Sequence, residues 1–448
     1  MRALRRGLIP IVAVCAITAA LAGCSSDGGG PSLPSLNSIN PFAKTETPLP
    51  GKRVAVLTQE DPLASNLESS TGSIAVPASL PNIEWSQPGG IASNAPGHLA
   101  LEGGLRTLWN VSAGKGSNSD TKLTASPIMH QGRVYVLDAA STVSAYSASG
   151  GSRTWSTSLV PETEDDDEGF GGGIAADGGR VIATTGFGFA VALDAASGKK
   201  LWEKPLGSPA RASPTVADGR VYAVTIEGRL FCLNAEDGSE IWSYRGIPEQ
   251  ASMLNNISPA VSGAEVVVTF PTGDVMAFRA DSGEPVWSDQ LGQSAAGSSV
   301  AGLNDPSRPA IADGVVYAIG HGGRMIATSA ETGERMWSAS IAGIETPWVA
   351  GDAVYVVDTA GKLVALNRAT GEIRWATKLP GEGIWSGPVL AGGRLWAVSS
   401  SGAIAGVDAT TGKVSGQRDL GGKIFVQPIV ADSRMFVLRD DAELVALN

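Results

Sequence analysis

Few residue types in this 448-residue chain could do chemistry, and their spacing argues against it. The three histidines, His98, His130 and His321, stand far apart and share no metal-ligand spacing. Of the three cysteines, Cys15 and Cys24 lie near the amino terminus, and Cys232 sits alone in a strand-like stretch, so the fold cannot rest on a disulfide. The one dense charge run is Glu162 to Glu168, reading ETEDDDE. Carboxylates at consecutive positions cannot all point at one calcium ion, so the run reads as a solvated loop. Its functional reading is electrostatic contact with a basic partner, or repulsion that keeps the loop open, with Arg211 as the nearby cation. No Gly-x-Ser-x-Gly stretch and no phosphate-cradling loop with a lysine occurs, and the Gly-Gly pairs are assigned to tight turns. The residues therefore predict no catalytic group, no metal and no cofactor.

What the chain does carry is a repeated element. Lys362 to Trp375, KLVALNRATGEIRW, reads as a strand, a turn and a returning strand with a tryptophan at its tail. Gly371 suits the turn because positive φ carries no Cβ penalty at glycine. The same pattern ends at Trp202, Trp242, Trp287 and Trp337, and in weaker form at Trp155 and at Gly416, where the tryptophan is missing. Successive tails lie 38 to 50 residues apart, which fits a four-stranded propeller blade. Apolar runs such as Val315 to Ile319 predict strands covered on both faces. The tail tryptophans are expected to pack between neighbouring blades.

The two ends of the repeat complement each other. Leu105 to Ser112 resembles a last strand, with Trp109 in the tail position, but no repeat precedes it. At the other end, Val426 to Asn448 supplies three strands and stops where a fourth should begin. If the strand at Trp109 completes the C-terminal blade, the ring closes by backbone hydrogen bonds and no end blade is left unpaired. The expected fold is all-β: an eight-bladed propeller of four-stranded antiparallel blades over residues 105–448.

The amino-terminal part is of another kind. Residues 1–23 combine Arg2, Arg5 and Arg6 with an apolar run too short for a comfortable span, as in a secretory leader. The leader ends in Leu21-Ala22-Gly23-Cys24, which looks like a bacterial lipobox and implies cleavage before a lipidated Cys24, with palmitate-type acyl chains. Residues 24–81 read as a flexible tether and residues 82–104 as an irregular strap anchored by Trp85. A net charge of −11 makes nucleic acid or an anionic lipid surface an unfavourable ligand for the body of the protein.

The string Ala192-x-Asp194-x-x-Ser197-Gly198-Lys199-x-x-Trp202 resembles the tryptophan-docking repeat of quinoprotein-type (PQQ-like) propellers over residues 105–448. With a lipobox and a tether before eight such blades, the chain resembles the BamB family of lipoproteins, and Trp85-x-Gln87-x-Gly89-Gly90 looks like an extension of its α-proteobacterial members. The resemblance implies a non-enzymatic scaffold of the outer-membrane β-barrel assembly machinery. Its implied partners are the periplasmic POTRA domains of BamA, other subunits of the machinery and unfolded outer-membrane proteins. Its implied place is the periplasmic face of the outer membrane, held by the lipid anchor, which Ser25 after Cys24 also favours. Carried over by position, the partner-binding residues fall at Ala251, Met253, Leu254, Asn304 and Asp305, in the loops Arg245 to Ile257 and Gln290 to Arg308. This chain keeps only the apolar pair and one carboxylate of the family pattern there. The alternatives are a PQQ-dependent periplasmic dehydrogenase, which would carry a Cys-Cys pair that this chain lacks, and a small-ligand-binding propeller.

Overall fold

The computed structural model describes residues 74–247, 257–292 and 306–448. Their strands form eight four-stranded antiparallel sheets, the eight-bladed propeller that the repeat predicts. The innermost strands of blades 1 to 8 are Ile128–His130, Gly172–Asp177, Thr215–Ala217, Ala260–Ser262, Ala310–Ala312, Trp348–Ala350, Trp385–Ala391 and Ile429–Ala431. Blade 8 is the composite one, with Thr107–Ser112 outermost against Glu443–Leu447, then Arg434–Leu438 and Ile429–Ala431. Trp109 pairs with Ala446 and Ser112 with Glu443, so the first strand zips antiparallel onto the last. A closed ring leaves neither terminal blade with a bare face.

The third and fourth strands of each blade explain the repeat. A register shift precedes the tail tryptophan in blade after blade, for example between Ala365 and Leu366. Such a bulge twists the strand and aims the indole out of the sheet. The ring then lands on the turn glycine of the next blade. Gly371 has φ 73°, and a Cβ added there would lie 2.5 Å from Trp337. The indole N–H donates to a carbonyl of that same turn in most blades, as Trp155 to Ala195, Trp202 to Ala235 and Trp242 to Ala280, at 3.0 to 3.1 Å, whereas that of Trp375, docked on Gly412, has no partner. Within its own blade the ring also meets a second-strand tyrosine, as Trp337 does Tyr317 at 6.0 Å. Glycine is thus required twice over, by backbone conformation and by the approach of the indole.

Gly416, the tail without a tryptophan, now has a physical reason. Its ring would have to dock on the third turn of blade 8, where the chain is broken between Leu447 and Thr107. In its place Arg418 donates to the carbonyl of Leu105 and, at 2.6 Å, to the hydroxyl of Thr107.

Candidate interaction faces

In an antiparallel blade the turns from first to second and third to fourth strand fall at one end of the disc. The second-to-third turns and the links between blades fall at the other. The residues ahead of the first strand close off the former end. Their backbone groups meet the ends of the innermost strands, which would otherwise present an unpaired edge to the axis.

The segment makes a full circuit. Asn82 accepts from the Asp432 amide in blade 8 at 2.6 Å, and Trp85 exchanges two hydrogen bonds with Met129 in blade 1 at 2.7 and 2.8 Å. The Ser86 carbonyl accepts from Ala176 in blade 2 at 2.7 Å. Gln87 spans two blades, donating to the Ala176 carbonyl at 3.0 Å and accepting from the Val216 amide at 2.9 Å. Ala92 and Ser93 accept from Val261 and Ile311 in blades 4 and 5, both at 2.8 Å. The Trp348 indole of blade 6 donates to Gly97, and Leu99 pairs with Leu390 and Gly392 of blade 7. Leu80 and Leu99 then form a parallel bridge that closes the hoop on itself.

Side chains secure it. Trp85 is fully buried and stacks on Trp348, ring centroids 6.1 Å apart. Gly89 leaves room for Asn94, since a Cβ there would fall 2.2 Å from the Asn94 amide oxygen. His98 bridges the Pro77 carbonyl, at 2.6 Å, and the Gly393 amide, at 2.8 Å. His130 sits between the Glu84 carboxylate at 3.0 Å and the Gly178 carbonyl at 2.7 Å. His98 thus belongs to the hoop, and His130, at the end of the innermost strand of blade 1, receives it through Glu84.

The opposite end holds the blade-to-blade links. Ala251, Met253, Leu254, Asn304 and Asp305 belong to two of these links but lie outside the described residues, as does Cys24. The described part of this end carries three large apolar side chains in solvent: Ile247, 71% exposed, Ile384, 58%, and Phe425, 40%. The acidic run lies in the link from blade 1 to blade 2, where Asp166 pairs with Lys115. Arg211 is not its counter-ion; it lies over the Phe170 ring, 4.6 Å from the centroid. Among the described residues no group of three or more His, Cys, Asp or Glu side chains could hold a metal. Cys232 is buried in blade 3, and burial pushes its thiol up to about 12.

Comparison with known proteins identifies the family. A family model described as outer membrane protein assembly factor BamB matches residues 139–377 and 364–448. The chain belongs to the BamB family. BamB of Yersinia pestis is 27% identical over 242 residues, 53% of this chain and 61% of that protein, so the aligned part spans under two thirds of this relative. BamB of Salmonella typhimurium is 26% identical over 347 residues, 76% of this chain and 88% of that protein. The crystal structure of Moraxella catarrhalis BamB superposes with a TM-score of 0.67 at 21% identity, covering 77% of this chain and all of the other. A quinohemoprotein alcohol dehydrogenase of Comamonas testosteroni superposes at 0.64 with 13% identity, 81% of this chain on 80% of the other, a likeness that carries the fold alone. BamB-type blades thus account for most of the described chain. The sequence signal here, Trp85-x-Gln87-x-Gly89-Gly90, points to a strap but not to its circuit around the ring.

Proposed function

We propose that the protein is a non-enzymatic scaffold of outer-membrane protein assembly. In this reading it is held at the periplasmic face of the outer membrane by lipid on Cys24, with residues from Ser25 as its tether. The end of the disc away from the hoop docks a periplasmic partner, for which the family points to the POTRA domains of BamA, and so brings unfolded outer-membrane proteins near the machinery. The observation that carries the reading is the family match over residues 139–448. The closure of one end by the hoop supports docking at the other, because backbone groups at the sealed end are already paired. Exposed apolar Ile247, with Met253 and Leu254 in the same link, suits a partner contact that excludes water.

Site-specific photo-crosslinking tests it. A crosslinker at Met253 or Leu254 of the membrane-anchored protein is expected to capture a BamA-type protein, and one at Leu80 or Ile83 on the hoop is not. Capture from the hoop alone, or from neither end, would count against the assignment.

A further inference from the structure

Beyond its docking faces the disc has an axis, and the hoop makes that axis blind at one end. Gln427 donates to the Pro88 carbonyl of the hoop at 3.0 Å, so the floor is tied to the wall. In blades 4, 5 and 6 the residue two before the innermost strand is Ser258, Arg308 and Thr346, each followed by proline. These three strands are neighbours in the ring, so the equivalent positions lie side by side on consecutive blades.

Each of the three leaves a polar atom buried and without a hydrogen-bond partner: Ser258 Oγ, Arg308 Nη1 and Thr346 Oγ1. Arg308 is 7% exposed. Burial of an unpaired guanidinium nitrogen is unfavourable, and one such atom alone would be a local defect. Three on consecutive blades make a cradle. Glu345 adjoins it, and burial pushes its carboxyl up to about 7 against the pull of Arg308. Near neutral pH this carboxyl therefore offsets the Arg308 charge only in part.

We propose that this cradle binds a small oxyanion, a carboxylate or phosphate group, with Arg308 as its cation and the hydroxyls of Ser258 and Thr346 as flanking donors. A guanidinium presents parallel N–H groups that match two oxygens of either ligand. The hydroxyls on both sides fit the remaining lone pairs. The site is independent of the scaffold reading and would stand if that reading fell.

Isothermal titration and thermal shift of the full chain with inorganic phosphate and with sodium acetate, against sodium chloride at equal ionic strength, test the site. Saturable binding of phosphate or acetate but not chloride is expected, and which of the two binds more tightly identifies the ligand group. Arg308→Gln should weaken binding at least tenfold, and Glu345→Gln, which removes a competing carboxylate, should tighten it severalfold. Absence of saturation with both anions overturns the proposal, as does equal affinity in Arg308→Gln. Should Arg308→Gln fail to fold by circular dichroism, unchanged affinity in Glu345→Gln overturns it instead.

Discussion

Arg418, on the outer strand of blade 7, donates to the carbonyl of Leu105, the residue just ahead of the first strand of the ring. It does for the seam what a tryptophan on a glycine turn does elsewhere. Replacing Arg418 by methionine keeps the stem and removes the charged donors to Leu105 and Thr107. We expect a loss of about 1–3 kcal/mol in urea denaturation, the range for hydrogen bonds to charged groups. A variant as stable as the parent would show that the paired strands Thr107–Ser112 and Glu443–Leu447 hold the seam unaided.

The docking of Trp337 on Gly371 gives a second test. Trp337→Ala should cost roughly 3–5 kcal/mol by loss of a buried ring. Gly371→Ala should also destabilise, because φ is 73° and the added methyl meets the indole. The double variant should lose less than the sum of the two, since both remove one contact.

Gln87 links hoop to blades 2 and 3. Gln87→Ala leaves the Ala176 carbonyl and the Val216 amide without their side-chain partner, at a cost of about 1–3 kcal/mol for a buried unsatisfied group. Hydrogen exchange at the Val216 amide should accelerate by an amount greater than the change in global stability explains. Uniform acceleration across the blades would mean that the hoop merely adds to overall stability.

Glu345 gives a pH dependence whose sign is fixed. Burial raises its carboxyl from 4.5 to about 7, so between those values the folded protein holds a proton that the unfolded chain has released. Stability contributed by this group is present at acid pH and is lost as pH rises through about 7. Glu345→Gln should flatten that part of the stability profile measured by denaturant titration from pH 5 to pH 8. A parallel profile in the variant would refute the assignment.

Cys232, buried against blade 4 with its thiol pushed up to about 12, should resist a thiol reagent at pH 8 in the native protein and react readily in guanidinium. Fast native labelling at that position would mean that blade 3 opens locally.

The repeat was legible because strand period, turn glycine and tail tryptophan recur in sequence as they do in space. Even the gap at Gly416 was visible, although its cause was not, since the missing turn of blade 8 exists only once the termini have met. The hoop was legible in outline alone. It binds largely through backbone atoms, as at Trp85, Ala92 and Ser93, and backbone pairing leaves no residue pattern to read. The cradle at Arg308 escaped for a different reason: Ser258, Arg308 and Thr346 are widely spaced in the chain and become neighbours only through the ring. The Arg211 expectation, which rested on its place in the inner-strand loop of the following blade, failed because Arg211 lies over Phe170 and the ring places Lys115 of the preceding link beside Asp166.

The hoop also decides how the protein bears load. A pull transmitted along the chain toward residue 74 reaches Leu80 and the circuit before it reaches Thr107, so the hoop's contacts take the load ahead of the seam. Without that circuit the same pull would act directly on the outer strand of blade 8. Because blades 7 and 8 follow the hoop by some 300 residues in the chain, the hoop can close only after both have been made, so its closure is a late step of maturation.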